Sequence, residues 1–360
     1  MSAGNYAYIN AKVGALRSKM LTQADYRSLI EVSTAHDMFS LLKNTAYGKE
    51  IAKIKDYNLL EVERVLNSFL MDEHERIIYG MIGNPGQLLA HLYSKYDASL
   101  LKEALTLKAA GFDIEELSKL MPTKKISQAL LDRIGEAKDI REAVEVLKDT
   151  EYYKGLNNAL QAYNETGLIY TLTLAIDRHM YQRLWVILKK LTGRDRISAK
   201  ELIGTEIDII NIISALRLRN YEGDIKELLI PVRFRANDEV LYSLSRVKSL
   251  SQLSSEVPKF AYWKVIEGAI KNRDAIASSL PLQKAGGGNV ESLLPVEYEL
   301  ERLLVDKNRK MFYGDRFHIG VPLAHIYLKG IEIRNIISAF KLKEAKVENV
   351  KIEKFLILPL

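Results

Sequence analysis

Residues 207–219 read IDIINIISALRLR and residues 331–343 read IEIRNIISAFKLK, two segments that are identical at eight of thirteen positions. A weaker copy, YDASLLKEALTLK, occupies residues 96–108 and keeps the acidic residue at its second position and a basic residue at its last. Chance does not account for agreement of this extent between segments so far apart. The sequence therefore predicts three related domains, each with its own copy.

The repeated segment has the pattern of an amphipathic helix. Its apolar residues recur at steps of three and four, which places them on one face of a helix with about 3.6 residues per turn. We expect this apolar stripe to form core, with Ile212, Leu216, Ile336 and Phe340 buried. The acidic residue at the front of each copy and the basic residues at the back match the two ends of the helix dipole.

One position separates the first copy from the other two. The first copy has Leu100 where the others have Asn211 and Asn335. The asparagines are therefore expected to serve packing or hydrogen bonds that are specific to their own domains. The simplest interpretation is a helix amide whose hydrogen bonds are satisfied by a neighbouring loop.

A second repeated landmark precedes the first. Residues 42–47 read LKNTAY and residues 147–152 read LKDTEY, in each case an apolar helix end followed by turn-forming polar residues and an aromatic. Residues 253–263 (LSSEVPKFAYW) are the candidate third copy, although they contain Pro258 and lack the Lys-Asx-Thr triplet. Each unit thus carries two landmarks, with the third copy of this one degenerate.

Length and composition indicate an all-α protein of several domains. A chain of 360 residues suits two or three domains. The repeat favours three, at residues 1–118, 119–232 and 233–360, the last with a C-terminal tail. The best strand candidate is KIEKFLILPL at residues 351–360, and this segment fits equally well as a short apolar tail that docks on the body.

Two classes of protein are excluded by simple counts. No stretch approaches the roughly 18 apolar residues of a membrane span, and the opening MSAGNYAYINAK lacks the layout of a signal peptide. We therefore expect a cytoplasmic protein. The chain has no cysteine, which excludes disulfides, thiolate metal sites and cysteine nucleophiles.

The usual motifs of nucleotide, hydride and hydrolase chemistry are absent from the sequence. The triple glycine at residues 286–288 has no preceding strand and no following lysine, and it is typical of a flexible linker. The six histidines are scattered, and the acidic run at residues 72–75 (DEHE) is expected to be an exposed helix face. We predict no catalytic residue, no metal and no cofactor.

The charge distribution leaves an alternative function open. The net charge is +6 and the densest basic run lies at residues 183–200, but no nucleic-acid-binding motif accompanies it, so we predict no nucleic acid as partner. The alternative is a helical scaffold that binds nucleic acid or acidic proteins through this run. A third hypothesis is an enzyme whose site is assembled across domains and is invisible in short motifs.

Several segments together resemble one family. Residues 6–31 (YAYINAKVGALRSKMLTQADYRSLIE), 41–48 (LLKNTAYG) and 96–111 (YDASLLKEALTLKAAG), with the two NIIS copies, resemble the C subunit of the archaeal and bacterial A/V-type ATP synthases. The eukaryotic relative is the d subunit of the vacuolar ATPase. The resemblance runs from about residue 6 to residue 343.

The resemblance implies an all-α protein of three related helical domains with pseudo-threefold symmetry, shaped like a funnel. It implies a non-catalytic rotor subunit on the cytoplasmic side of the membrane, peripheral and held there by its complex. Such a protein couples the membrane proteolipid ring to the central stalk of subunits D and F in a proton- or sodium-translocating ATP synthase. It needs no cofactor and makes no ATP itself.

Candidate contact residues are charged or aromatic side chains that the core stripe does not explain. We expect the stalk to enter a polar cavity on the threefold axis and the narrower end to seat on the ring. For each residue, a solvated charge or a charge that complements a helix dipole is an equally good interpretation. The candidates are Arg17, Lys19, Lys43, Tyr47, Lys148, Tyr152, Arg217 and Lys341.

Overall fold

The computed structural model is helical in every part of the chain that it describes. No residue in the described part belongs to a β-strand, so the all-α prediction is confirmed. The predicted linker at residues 286–288 and the predicted boundary between residues 118 and 119 lie outside that part. The described residues are 3–114, 117, 123, 125–219, 221–272 and 292–360.

The chain divides by its internal contacts into two compact units. Unit 1 consists of Met1–Gly86, Thr192–Leu202 and Tyr262–Leu360. Unit 2 consists of Gln87–Leu191 and Ile203–Ala261. The finer division into three repeat domains stays a prediction.

The helices vary from single turns to long rods of 25 residues. One 3₁₀ turn, η1 (Leu250–Gln252), accompanies them. In chain order the α-helices are α1 (Ala3–Arg17), α2 (Gln23–Glu31), α3 (Ala35–Leu42), α4 (Gly48–Ile51), α5 (Leu59–Ile78), α6 (Gly83–Leu92), α7 (Ser94–Ala110), α8 (Gln128–Glu136), α9 (Ile140–Val146), α10 (Tyr153–Thr166), α11 (Tyr170–Leu188), α12 (Gly193–Arg217), α13 (Ile225–Leu228), α14 (Asp238–Arg246), α15 (Leu253–Glu256), α16 (Trp263–Lys271), α17 (Leu294–Lys310), α18 (Gly320–Glu344) and α19 (Asn349–Phe355).

The three repeated segments lie on helices, as their pattern predicts. Residues 96–108 fall within α7 and residues 331–343 within α18, while the second copy runs to the end of α12 and two residues beyond. The four stripe residues named from the sequence are at most 1% exposed, which confirms the predicted core.

Three times along the chain, two helix caps and a buried tyrosine follow one another at the same spacing. The hydroxyl of Thr22, the hydroxyl of Ser127 and the amide oxygen of Asn237 each accept a hydrogen bond from the backbone N–H three residues on, and so cap α2, α8 and α14. Twelve residues after each cap a second cap position follows, and thirteen residues after that a buried tyrosine precedes the next helix. The second caps are Thr34, Asp139 and Ser249, and the tyrosines are Tyr47, Tyr152 and Tyr262.

The turn before each tyrosine explains why the third copy is hard to recognise in sequence. The hydroxyls of Thr45 and Thr150 donate to the carbonyl oxygens three residues earlier, in both cases at 2.7 Å. In the third copy Phe260 stands in the place of this threonine. The landmark therefore keeps its tyrosine and its position while it loses the hydroxyl that marks the turn.

Each unit has its own apolar core. In unit 1 the stripe of α18 packs with α2, α3 and α5, and Phe39, Tyr57 and Phe340 form a chain of aromatic contacts with ring centroids 5.8 Å apart. In unit 2, α7 packs with α8 to α11 through residues such as Leu101 and Leu156. Close-packed cores of this kind have low compressibility.

The C-terminal segment is a docked tail and not a strand. After α19 the chain continues without helix or strand, and Asn335 donates from Nδ2 to the carbonyl oxygen of Ile357 at 2.9 Å. Arg309 donates to the oxygen of Leu360 at 2.8 Å. Of the two structures predicted for residues 351–360 the strand is wrong: residues 351–355 belong to α19, and the docked tail comprises residues 356–360.

Candidate functional site

The acidic residue of the second repeated segment holds a loop. Asp208 lies in the middle of α12 and is fully buried. Its carboxylate accepts hydrogen bonds from the backbone N–H groups of Phe234, Arg235 and Ala236 at 3.1, 2.6 and 3.1 Å. These three residues lead directly into the cap of α14, so Asp208 fixes the start of a helix pair.

The acidic residue of the third segment plays the same part. Glu332 is buried in the middle of α18 and accepts from the backbone N–H of Leu21 at 2.9 Å, immediately before the cap of α2. The helix-dipole interpretation is therefore wrong for Asp208 and Glu332. Both helices begin many residues earlier than the repeated segments, and the two carboxylates face protein interior instead of a helix start.

The first copy follows the pattern with less complete hydrogen bonding. Asp97 lies in the first turn of α7, where the dipole interpretation holds, and it is 3% exposed. It accepts from Thr123 and from the backbone of Lys125, just before the cap of α8, while its Oδ1 has no partner among the described residues. Burial raises the pKa of the Asp97 carboxyl, and the two hydrogen bonds partly offset this effect.

We call Asp97, Asp208 and Glu332 the three anchor acids. Each joins a long repeat helix to the start of a short helix pair by accepting hydrogen bonds from the chain just ahead of that pair. These hydrogen bonds give the three carboxylates a structural role, because buried polar groups of folded proteins are held by partners of this kind. In the sequence, the sign of these buried anchors was an acidic residue that recurs at the same position of all three copies, among apolar residues.

A buried ionic network surrounds the third anchor acid. The Lys329 ammonium donates to Glu332 Oε1 at 2.9 Å and to the Tyr47 hydroxyl at 2.7 Å, and it lies 3.8 Å from Glu73 Oε1. His325 Nε2 lies 3.1 Å from the other oxygen of Glu73. These five residues are at most 3% exposed and form one cluster inside unit 1.

This cluster corrects the prediction for residues 72–75. They were expected to form an exposed charged face, but Glu73 and His74 are 3% and 1% exposed. The prediction is wrong for these two residues because α5 turns them towards α18, where Lys329 pairs with Glu73. Charge in a sequence pattern indicates exposure only when no opposite charge from another helix meets it.

The two predicted tyrosines are interior residues. Tyr47 is fully buried and donates its hydroxyl proton to Glu332, and burial followed by the nearby carboxylate raises its pKa well above the usual value. Tyr152 meets the ring of His179 edge-on at 5.3 Å. Burial, with Asp97 and Asp177 as further causes, raises the pKa of Tyr152 to about 12. Both rings fix the turns that carry Lys43 and Lys148.

Each of these two turns carries two of the predicted contact residues, a lysine and a tyrosine. Lys43 and Lys148 are exposed, and Lys43 lies 4.4 Å above the ring of Phe39. The exposed Lys341 pairs with Glu63 at 2.9 Å, which accounts for its charge locally.

The remaining candidates lie on separate elements. Arg217, in the last turn of α12, is exposed and stacks 4.5 Å from the ring centroid of Tyr170. Arg17 ends α1 and stacks 4.0 Å from Phe312, and Lys19 follows it in an exposed turn. The role of the eight candidate residues in binding a partner stays a prediction.

The basic run at residues 183–200 is partly neutralised. Arg183 forms an ion pair with Glu151, and Arg194 forms one with Asp315. Asp195 accepts from the Tyr6 hydroxyl at 2.6 Å and from the backbone N–H of Ile319 at 2.9 Å. The run therefore includes residues that hold unit 1 together.

Unit 1 exposes large apolar side chains on α1 and on turns next to it, which sequence reasoning missed. Tyr79 is 84% exposed and Tyr313 72% exposed, and each lies in the turn that follows a long helix. Both turns border α1: a methyl group on Gly80 would meet Tyr8, and Asn10 donates to the carbonyl oxygen of Arg316 at 2.7 Å. The apolar end patch consists of Tyr8, Tyr79, Ile82, Tyr313 and Phe317.

Exposed apolar side chains on turns that border one helix are candidates for a binding surface. A Tyr-Gly dipeptide occurs in both turns, at residues 79–80 and 313–314, but it also occurs at residues 47–48, where the tyrosine is buried, so it did not signal the patch. In the described part of the chain, no helix combines the length and the hydropathy that a bilayer crossing requires. The same part contains no group of three histidine or acidic side chains placed to hold a metal ion.

The fold and these contacts define a helical protein whose buried polar groups join helices to one another. The sequence profile of the ATP synthase (C/AC39) subunit family matches residues 9–355. The chain is 25% identical to the C subunit of the A-type ATP synthase of Methanocaldococcus jannaschii, over 97% of this chain and 84% of the relative. It is 24% identical to the C subunit of the Haloferax volcanii enzyme, over 98% of both chains, and 24% identical to that of Pyrococcus abyssi, over 97% and 89%.

The chain belongs to the ATP synthase (C/AC39) subunit family, a family of structural and not catalytic subunits. The resemblance stated from the sequence is thereby confirmed.

Proposed function

We propose that the chain is the rotor subunit that couples the central stalk, subunits D and F, to the membrane proteolipid ring of a proton- or sodium-translocating ATP synthase. In this role it transmits torque and lies on the cytoplasmic side of the membrane as a peripheral subunit. Family membership over residues 9–355 supports the complex to which it belongs. The contacts of the structure support the mechanical role.

The observation that carries the ring-facing part of this proposal is the apolar end patch. Tyr79 and Ile82, at 84% and 62% exposed, offer apolar area that water solvates poorly. Their contact with a ring removes this area from water and stabilises the seated state.

Stiffness is the second requirement of a torque-bearing part, and the anchor acids supply it. Asp208 and Glu332 hold loops through hydrogen bonds buried in the interior of their units. Close-packed cores with satisfied polar groups deform little under load. Sliding a short helix pair against its long helix would expose a buried charge, and this opposes shear.

For the stalk, the proposal retains the predicted contacts. Lys43 and Lys148 project from two turns of the same construction, each fixed by a threonine hydroxyl and a buried tyrosine. A third turn ends at Tyr262. Equal spacing of the caps and tyrosines supports three repeat domains, proposed at residues 1–118, 119–232 and 233–360. We propose that they surround the stalk with pseudo-threefold symmetry, as a funnel.

The test measures capture of the two partners separately. The purified chain is presented with the isolated proteolipid ring in detergent and, in a second experiment, with the D–F stalk. We expect Tyr79→Ser and Ile82→Ser together to weaken ring capture about tenfold or more, because two apolar anchors are lost, and to leave stalk capture unchanged. The control is Val350→Ser, which removes an apolar side chain that is 61% exposed on α19. Equal ring capture by both variants would contradict the ring-facing assignment.

A further inference from the structure

A cavity of about 450 Å³ opens in unit 1 between α1 and the loop that joins α17 to α18. Its lining combines two guanidinium groups with an apolar floor. The residues that matter here are Asn10, Val13, Arg17, Phe312, Arg316 and Val321. The cavity adjoins the apolar end patch, because Tyr313 and Phe317 belong to the same loop as Arg316.

The side chains that line the cavity carry positive charge without an acidic side chain among them; Leu360 also lines it, and its oxygen accepts from Arg309 at 2.8 Å. Among the described residues that line it none is an aspartate or glutamate, and neither Arg17 nor Arg316 forms an ion pair within the described part of the chain. Arg309 lies close by but is engaged with Asp306 at 3.2 Å and with the backbone of the C-terminal tail. Within the described residues, the two guanidinium groups therefore keep hydrogen-bond donors without a partner.

The electrostatics of Arg17 reflect this crowding. Burial is the main cause that lowers its pKa, and the neighbouring charges of Arg316 and Arg309 lower it further, while nearby Tyr313 acts in the opposite direction. Like charges held close together favour a bound anion, because the anion relieves repulsion between them.

Two buried polar atoms at the cavity lack a protein partner. Arg17 Nε and Asn10 Oδ1 are both shielded from solvent and make no hydrogen bond in the described part of the chain. The Asn10 amide nitrogen already donates to the carbonyl oxygen of Arg316. Buried donors and acceptors without partners are uncommon and point to a missing ligand or to ordered water.

The stacking of Arg17 prepares it for an oxyanion. Its guanidinium lies 4.0 Å from the ring centroid of Phe312, which restrains its rotation and leaves its N–H edge for a ligand. A guanidinium in this setting binds phosphate through parallel hydrogen bonds. Arg316 is exposed at the rim and supplies a second cation to the same opening.

We propose that this cavity binds a phosphate-type anion, with oxygens that accept from the guanidinium groups of Arg17 and Arg316. The anion is either free phosphate or the phosphate of an anionic lipid headgroup. The site stands on its own contacts and does not depend on the proposed rotor function.

The first experiment uses inorganic phosphate as the probe. Thermal unfolding of the full chain is followed as phosphate is added at constant ionic strength, with chloride as the balancing anion. A ligand that binds only the folded state raises Tm saturably. We expect this rise for the wild-type chain and for Lys19→Gln, a control that removes a neighbouring exposed charge outside the cavity lining.

Arg17→Gln and Arg316→Gln are expected to weaken phosphate binding about tenfold or more each, since each removes a charge-assisted hydrogen-bond donor. The exposed Arg316 provides a variant whose folding is secure if Arg17→Gln unfolds the chain. Absence of a saturable phosphate effect overturns the proposal. So does an equal loss in Lys19→Gln, because binding then reflects general positive charge.

The second experiment distinguishes the two sources of phosphate. Flotation with phosphatidylglycerol vesicles is compared with flotation with phosphatidylcholine vesicles. Binding to the anionic vesicles that Arg316→Gln abolishes and that free phosphate displaces assigns the site to a lipid headgroup. Saturable phosphate binding without vesicle binding assigns it to free phosphate.

Discussion

At the scale of single residues, the interior of unit 1 depends on one lysine. The Lys329 ammonium contacts Glu332, Glu73 and the Tyr47 hydroxyl, and it also lies 4.5 Å from the Tyr47 ring centroid. Two carboxylates and one ammonium are buried together, so the positive charge of the lysine compensates the negative charge of both acids. Removing it leaves negative charge without compensation in an apolar surrounding.

We expect Lys329→Met to lower the free energy of unfolding by about 3–5 kcal/mol, the usual effect of breaking a buried ion pair from one side. Urea unfolding followed by circular dichroism measures the change. The control is Lys351→Met, which removes an exposed lysine paired with Glu348 on α19, where the effect is expected to be small. A Lys329→Met variant as stable as the control would show that the network contributes little.

Asp97 gives a prediction about pH. Burial raises its pKa above the ordinary value of 3.8, so its folded state binds the proton more tightly than its unfolded state. Its contribution to stability is therefore complete below about pH 3.8 and is lost as the pH rises through the raised folded value. Asp97→Asn stays neutral throughout.

We expect the stability of Asp97→Asn relative to the wild-type chain to increase between pH 4 and pH 7. Urea unfolding at the two pH values checks this, with the exposed Asp149→Asn as the matched control. A relative stability that is constant with pH, or that falls, would contradict the assigned direction.

At the scale of elements, the short helix pairs depend on their caps. Thr22, Ser127 and Asn237 each satisfy one backbone N–H that the helix itself leaves unpaired. The anchor acids fix the chain just ahead of these caps. The start of each helix is thus determined twice, once by a local hydrogen bond and once by a distant carboxylate.

Thr22→Ala, Ser127→Ala and Asn237→Ala are each expected to lower the free energy of unfolding by about 0.5–2 kcal/mol through loss of the cap. The matched control is Ser28→Ala, an exposed position inside α2 that caps nothing. Chemical denaturation distinguishes the two classes of variant. Equal stability of all four would show that the caps are dispensable.

The core stripe gives a larger effect. Ile336 is fully buried among α2, α3 and α5 residues, and Ile336→Ala is expected to lower the free energy of unfolding by about 2–5 kcal/mol because it leaves a cavity. Val186→Ala, at a position 58% exposed, is the control. An unmoved unfolding midpoint for Ile336→Ala would refute the shared-core interpretation at that site.

At the scale of the whole molecule, the proposed function depends on the surfaces that bind the ring and the stalk. The stalk-facing prediction rests on Lys43 and Lys148, two exposed lysines on turns of the same construction. Both side chains are exposed, so charge can be reversed there with little effect on folding. Rim charges of this kind act mainly on the rate of association and on its dependence on salt.

We expect a combined Lys43→Glu and Lys148→Glu variant to fold normally and to capture the D–F stalk more slowly, with the difference largest at low salt. Stopped-flow or surface binding at low and moderate salt measures the rate. A Lys154→Glu and Lys354→Glu variant, with two other exposed lysines reversed, is the control. Wild-type capture by the first variant would show that these turns do not dock the stalk, and the basic run at residues 183–200 would become the next candidate.

The sequence by itself determined the helical class, the core face of the repeated segments and the family. These properties are local: the periodicity of Ile212 and Ile336 follows from the helix repeat, and the copies are visible without knowledge of any contact. The landmark at Tyr47 and Tyr152 was also visible, because a turn is encoded by adjacent residues.

Only the tertiary structure decided which polar residues are interior and which apolar residues are exposed. Acidic side chains are usually found at the surface. Three of them, Asp208, Glu332 and Glu73, are buried here because hydrogen-bond donors or cations distant in sequence contact them. Large aromatic side chains are usually buried at least in part. Tyr79 and Tyr313 are exposed because no described segment of unit 1 covers their turns. Burial of a side chain depends on its neighbours in space, and these are fixed only when the whole chain has folded.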